Sequence, residues 1–166
     1  MGIFKWLANQ INSEKSEEKK LLIDLREGIR WLGKAYRLIA FHLGTAHSIQ
    51  INLKSYLDNS TRWLQEAKNR TTLLIMILEK RNAPTYRKKS SLRLKDENLL
   101  ALLLKAEKRL IKNISFLQHA KENILVSPLE IPPPDNLTND YPEPFQLKDL
   151  MDYYKFLYKE IKKYKD

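Results

Sequence analysis

Apolar residues recur at a helical spacing through the first half of the chain. From Leu22 onward the repeat steps alternately by three and by four positions. This heptad spacing is typical of long helices that pack at shallow angles. The positions in this phase are Leu22, Leu25, Ile29, Leu32, Tyr36, Ile39, Leu43, Ala46, Gln50, Leu53, Leu57, Ser60, Leu64, Ala67, Thr71, Leu74 and Leu78. The pattern predicts long helices that share one apolar seam.

Two places are candidates for a break in this pattern. Gly44 and Thr45 have the residue types of a helix C-cap followed by an N-cap. Residues 58–61, DNST, form a cluster of cap-forming residues. We expect the break or kink at 58–61, because four poor helix formers are adjacent there. Because the heptad phase continues through both places, an unbroken helix is the alternative.

Two further helices are predicted in the second half. One begins near Asp96, whose carboxylate can cap it, and ends near Val126, because Pro128 disfavours helical geometry at the residue before it. Its apolar stripe is Leu99, Leu103, Ala106, Leu110, Ile114, Leu117, Ala120 and Ile124. The other follows from residue 146, with the stripe Leu147, Leu150, Met151, Tyr154, Leu157 or Tyr158, and Ile161.

These elements predict an all-α protein, an elongated antiparallel helical bundle or coiled-coil hairpin. It has about four main helices, and a short amphipathic helix at the N-terminus. Residues 1–126 form the bundle core, with a basic loop at 80–95. Residues 127–145 form an acidic, proline-rich linker, in which prolines favour extended backbone. Residues 146–166 form an amphipathic helix that docks back onto the bundle.

Composition excludes several classes of site. The chain has no cysteine, so it has no disulfide and no thiolate metal site. His42 and His47 are five positions apart, a poor spacing for joint ligation on a helix, so neither a metal nor a cofactor is predicted. The longest apolar run, residues 73–78, is far shorter than the roughly 20 residues of a membrane span. With no secretory signal pattern at the N-terminus, the expected location is the cytoplasm.

Charge is concentrated in the middle of the chain. The net charge is +10, and residues 62–121 hold 15 basic and 5 acidic side chains. Charge segregated in this way favours anionic partners. Basic side chains can displace counterions from a polyanion, and a tyrosine can stack on an unpaired base. The predicted polyanion-binding residues are Arg81, Tyr86, Arg87, Lys88, Lys89, Arg93 and Lys95.

The leading functional hypothesis is a non-enzymatic binding or assembly module. Its basic central region would dock on a polyanion, most simply nucleic acid. Exposed heptad positions would also allow self-association or a protein partner through the helical faces.

A second hypothesis is a scaffold at an anionic membrane surface. The first eleven residues would form an amphipathic helix whose membrane-facing residues are Ile3, Phe4, Trp6, Leu7 and Ile11. This start, followed by long basic helices, resembles the outline of the membrane-remodelling phage-shock-protein A and ESCRT-III families. The resemblance implies a non-enzymatic role at a lipid surface.

A third hypothesis concerns Arg37 and His42. Their Arg-x4-His spacing resembles that of HEPN-type ribonucleases, which are all-helical. The resemblance implies metal-independent RNA cleavage, in which the histidine acts as acid or base and the arginine stabilises phosphate charge.

Overall fold

The computed structural model describes residues 2–81, 90–124 and 141–164, with side chains at Lys5, 14–81, 94–124 and 141–164. These residues form four helices, α1 (Gly2–Ala40), α2 (Ala46–Arg81), α3 (Ser90–Glu122) and α4 (Pro144–Tyr164). In these three ranges no residue belongs to a β-strand. The predicted all-α fold class is confirmed.

The helices form an antiparallel bundle. Across the described ranges α2 packs against α1 and α3, and α4 packs against α1 and more lightly against α3, whereas α1 and α3 do not pack against each other. The register follows from contacts between side chains. Arg70 of α2 reaches Asp24 of α1, and Thr72 donates to Glu107 of α3. Because α1 and α3 are not neighbours, their outer surfaces belong to diagonal corners of the bundle.

The predicted apolar stripes form the core. On α3 every residue of the predicted stripe is buried, and on α4 Leu147, Leu150, Tyr154, Leu157 and Ile161 are buried. The seam of α1 and α2 is buried over most of its length, including the polar residues Gln50, Ser60 and Thr71. Ile29 and Tyr36 are partly buried, and Leu43 and Ala46 are exposed because the chain reverses there.

The break between the first two helices occurs at residues 41–45, and the expected break at 58–61 is wrong. Gly44 adopts a φ of 126°, which favours glycine, and an added Cβ there would meet the Ser48 hydroxyl at 2.4 Å. Thr45 caps α2 by accepting a hydrogen bond from the Ser48 amide at 3.2 Å. A reversal of direction thus interrupts the helix without changing the heptad phase.

Residues 58–61 are helical because their polar side chains can form hydrogen bonds while the backbone stays helical. The hydroxyls of Ser60 and Thr61 each donate to the carbonyl four residues earlier, both at 2.7 Å. Asp58 accepts from Lys121 of α3 at 3.0 Å. Residue types that favour caps therefore remain compatible with a continuous α2.

Three predicted boundaries also differ. The N-terminal amphipathic segment is the first part of α1, not a separate short helix. Helix α3 begins at Ser90, so Asp96 lies inside it and does not cap it. Helix α4 begins at Pro144, since proline suits the first turn, where its missing N–H is not needed. The Gln146 side chain there accepts from the Glu143 amide at 2.8 Å.

Helix α4 covers only part of the bundle. Its 21 residues span about 32 Å, against about 54 Å for the 36 residues of α2. Tyr154 contacts Asn113 of α3, and Met151 lies beside Gly33 of α1, so α4 lies toward the α1–α2 turn. Among the described residues, the opposite end is built by α1, α2 and α3 alone. We call this the three-helix end.

None of the four helices, over the residues described, has the length and apolar character needed to cross a membrane.

Candidate polyanion interface

The predicted polyanion-binding residues surround the connection between α2 and α3. Helix α2 ends at Arg81 and α3 begins at Ser90, so residues 80, 81 and 90–95 of the predicted basic loop belong to helices, and residues 82–89 lie outside the described residues. Tyr86, Arg87, Lys88 and Lys89 and the side chain of Arg93 lie outside the described residues. Lys95 is partly exposed on the first turns of α3.

Arg81 lies inside the bundle and pairs with two carboxylates. Its guanidinium donates to both oxygens of Glu14 on α1, with Nη2 at 2.8 Å from Oε1. It also donates to Asp96 on α3 through Nε at 2.9 Å and Nη2 at 2.7 Å. Burial alone would lower the pKa of Arg81, but the hydrogen bonds to Glu14 and Asp96 raise it. Arg81 therefore connects three helices at the three-helix end.

A second acidic residue of α1, Glu18, joins this cluster. Glu18 is 3% exposed. Burial, together with the neighbouring Glu14 carboxylate, raises the pKa of Glu18 to about 7, and Arg81 and Lys95 oppose the shift. One cluster thus contains three buried carboxyl groups from α1 and α3 around the partly buried guanidinium of Arg81.

We expect Glu18→Gln to stabilise the protein selectively at alkaline pH. Because the pKa of Glu18 is raised on folding, the folded state holds this proton between about pH 4.5 and 7 and the unfolded chain does not. The stability of the wild type therefore falls across that window, and the cost is complete above it. Glutamine stays neutral, so its advantage in unfolding free energy should be larger at pH 8 than at pH 5 by about 1–2 kcal/mol.

The measurement is urea denaturation at both pH values. Glu27→Gln serves as the control, because Glu27 on the same helix is only partly buried and pairs with exposed Arg30 at 3.4 Å. An equal gain for Glu18→Gln at the two pH values would contradict the buried-carboxyl interpretation.

A similar cluster joins α1 to the middle of α2. Arg70 donates to Asp24 through Nε at 2.7 Å and to Glu17 through Nη1 at 3.0 Å. Burial raises the pKa of Asp24, and the Arg70 partner offsets only part of that rise. Arg70 and Arg81 thus draw acidic residues of α1 toward the interior.

This pairing leaves a basic outer surface on α1. Between residues 14 and 40 the acidic side chains are buried or partly buried, whereas the exposed charged ones are all Lys or Arg. Those residues are Lys15, Lys19, Lys20, Arg26, Arg30 and Arg37.

Helix α3 carries a second basic surface. No exposed carboxylate lies between residues 98 and 121, and the exposed basic side chains there are Lys105, Lys108, Arg109 and Lys112. The three lysines follow a spacing of three and four, so they lie in one line along the helix. We call Lys105, Lys108 and Lys112 the α3 line. None of the three forms an ion pair with a described carboxylate.

The α3 line was not singled out from sequence, although a signal for it exists. Its residues occupy the side of the helical pattern opposite the apolar stripe, without an acidic residue in register. Leu104 and Ile111, four residues before and three residues after Lys108, are exposed beside it, so the line borders apolar surface. Arg109, four residues after Lys105, lies over the Tyr153 ring at 4.2 Å.

The other two helices have mixed outer surfaces. Exposed Glu66 and Glu79 accompany the basic residues of α2, and exposed Asp149 and Asp152 accompany those of α4. The exposed charges are therefore all basic over residues 14–40 of α1 and 98–121 of α3, and α4 beyond Asp152 also exposes only lysines, namely Lys155, Lys159, Lys162 and Lys163.

The residues of the other two hypotheses are at the ends of α1. The side chains of Ile3, Phe4, Trp6, Leu7 and Ile11 lie outside the described set. Arg37 is exposed in the last turn of α1, whereas His42 is exposed in the following turn with a φ of 48°. The end of α1 at Ala40 separates them, so they do not share a helix.

The described residues contain no group of three or more His, Asp or Glu side chains that could hold a metal ion. One open depression on the surface is lined by Ile51, Lys54, Ser55, Asp58 and Lys121. Comparison with known proteins finds no matching family model, no similar curated protein and no similar solved structure.

Proposed function

We propose that this protein is a non-enzymatic helical module that docks on the phosphate backbone of nucleic acid through the outer face of α3. The observation that supports it is the α3 line, three exposed lysines with no described carboxylate partner. The same helix begins within the basic sequence of residues 80–95, so that sequence and the line adjoin along the chain.

The chemistry of the line suits phosphates more than bases. From Lys105 to Lys112 the helix rises about 10 Å, so a rigid row of ammonium groups faces outward. Each lysine that meets a phosphate releases counterions, which makes binding steeply dependent on salt. No exposed aromatic side chain lies between residues 94 and 124. Binding through this face is therefore expected to be tolerant of base sequence.

The test is replacement of the line, Lys105→Ala with Lys108→Ala and Lys112→Ala. We expect the slope of log K against log salt to decrease by about 3 for a labelled 20-bp duplex, one for each lost contact. At 100 mM salt the affinity should fall by about 10–100-fold. Fluorescence anisotropy at four salt concentrations measures both quantities.

The control removes the same charge from another helix. Lys148, Lys155 and Lys162 are exposed on one side of α4, where Asp152 lies between the first two and Lys159 between the last two. Their replacement by Ala should change the slope by less than about 1. Equal losses for the two triple variants would show attraction by net charge alone and would overturn the proposal. Unchanged binding in the α3 variant would also overturn it.

Two further samples complete the experiment. Arg87→Ala with Lys88→Ala and Lys89→Ala tests the contribution of the predicted basic connection. Vesicles that contain phosphatidylserine test the membrane alternative, and binding to vesicles but not to the duplex would favour it over nucleic acid.

A further inference from the structure

We infer that the bundle has a second, separate surface for nucleic acid on α1 and can bridge two duplex segments. This inference rests on the proposed function of α3 and extends it to a second face. Its basis is the row of basic side chains on α1, together with the position of α1 diagonally across the bundle from α3.

The basic residues of α1 form a regular row. Five of them follow one another at spacings of four or seven, which places them on one side of a helix. They are Lys15, Lys19, Arg26, Arg30 and Arg37, and we call them the α1 row. Arg30 is partly neutralised by Glu27 at 3.4 Å, whereas Lys19, Arg26 and Arg37 form no ion pair with a described carboxylate.

The α1 row exists because the fold removes acidic side chains from the surface of this helix. Glu14, Glu18 and Asp24 are each less than 10% exposed, and Glu17 bonds Arg70. Arg70 and Arg81 of α2 supply most of the positive charge that these carboxylates meet. A helix with eight basic and five acidic residues thereby presents exposed charges of one sign over residues 14–40.

The two basic surfaces are separated by other helices. Helices α1 and α3 do not pack together over the described ranges; α2 lies between them, and α4 lies between them on the other side beyond the three-helix end. Two helix diameters put the outer faces roughly 20–25 Å apart. The Debye length is about 8 Å at physiological ionic strength, so phosphates on one surface are screened from the charge of the other. Each surface therefore binds as an independent site.

Charge complementarity and stiffness identify the occupant. Neither row contains an exposed aromatic residue that could stack on an unpaired base. Double-stranded DNA has a persistence length of about 150 bp, so a 20-bp duplex cannot wrap from one surface to the other. Occupation of both surfaces thus requires two short duplexes for each chain. The α3 surface is the tighter site, because none of the three lysines of the α3 line has a described carboxylate partner, whereas Arg30 of the α1 row is partly neutralised by Glu27.

Bridging is tested with two populations of the same 20-bp duplex. One is biotinylated and held on beads, and the other carries a fluorophore and stays free until the protein is added. The wild type should retain the fluorescent duplex on the beads, and the retention should disappear at 500 mM salt. Analytical ultracentrifugation with excess duplex should show two duplexes for each protein chain.

The diagnostic variant is Lys19→Ala with Arg26→Ala and Arg37→Ala. It should bind a single duplex within about 2-fold of the wild type, because the α3 surface is intact, yet retain about tenfold less of the second duplex. The control variant, with Lys148, Lys155 and Lys162 replaced by Ala, has the same net charge as the diagnostic variant. It should bridge two duplexes as the wild type does.

Several outcomes overturn the inference. The wild type could bind one duplex with steep salt dependence and yet never retain a second. That result would contradict bridging but would still agree with the proposed function. If ultracentrifugation shows only one duplex for each chain, retention of the fluorescent duplex must come from self-association of the protein, and the inference is wrong. If the α1 row contributes to binding of phosphatidylserine vesicles but not of duplex, it is a lipid-binding surface and the inference is wrong. Absence of all duplex binding would remove the proposed function as well.

Discussion

Replacing Arg81 with methionine is expected to destabilise the protein by about 3–5 kcal/mol, because it removes the guanidinium that pairs with the buried carboxylate of Glu14 and bonds Asp96. Arg81 bonds Glu14 and Asp96 with distances of 2.7–2.9 Å. Methionine approximates the volume of the arginine stem but supplies no hydrogen-bond donor. Urea denaturation at neutral pH measures the loss.

The matched control for Arg81 is Arg62→Met on the same helix. The Arg62 side chain is 70% exposed and lies 3.7 Å from Asp58. Exposed pairs of this kind contribute about 0–1 kcal/mol, so this variant should remain close to the wild type. Equal losses for the two variants would show that the three-helix end is not held by its ion pairs.

The outcome also bears on binding. Arg81 is the last residue of α2 and holds Asp96 on the early turns of α3, so it sets the distance between the helices that flank the basic connection. Duplex binding by Arg81→Met should be measured well below the unfolding midpoint of the variant. Weaker binding there would reflect the positions of the helices and not loss of the fold. Arg81, which the sequence predicted to bind a polyanion, thus forms hydrogen bonds with the carboxylates of Glu14 and Asp96.

The second large effect is expected at Tyr154, the central residue of α4. Its side chain is fully buried, and its hydroxyl accepts a hydrogen bond from Asn113 Nδ2 at 2.7 Å. Tyr154→Ala should cost about 3–5 kcal/mol through the cavity and the lost apolar contact. Tyr154→Phe should cost about 1–3 kcal/mol, because the buried Asn113 amide then lacks its acceptor.

Hydrogen exchange distinguishes how this loss is distributed. If α4 docks as a unit on the other helices, Tyr154→Ala should increase amide exchange in α4 more than in α2. Phe156→Ala is the control, since Phe156 is 52% exposed and its removal should cost less than about 1 kcal/mol. Equal destabilisation by the two alanine variants would contradict the central role of Tyr154.

Much of the architecture was accessible from the apolar pattern. The stripe of α3 was predicted residue by residue, because a core position recurs every three or four residues and needs no knowledge of the partner helix. The break at 58–61 was predicted wrongly for the opposite reason. Residue types that cap helices also serve inside them, when a hydroxyl bonds the preceding turn or an Asp meets a lysine from another helix.

The candidate site was less accessible. Counting charges located the excess in the middle third of the chain, yet it could not separate Arg81, which is internal, from Lys105, which is free of described partners. Counting charges also could not show that α1 presents a basic face, because that face depends on which acidic side chains of α1 are buried against α2.

The amino-acid order alone determined that the chain is helical, where its apolar stripes run and which segment is most basic, because these properties depend on neighbours three or four residues away. Only the tertiary structure decided which charges remain on the surface. Arg81 meets Glu14 from 67 positions away, and Arg70 meets Asp24 from 46. Such pairings arise when helices assemble in one register, and the assembly leaves the unpaired lysines and arginines of α1 and α3 facing solvent.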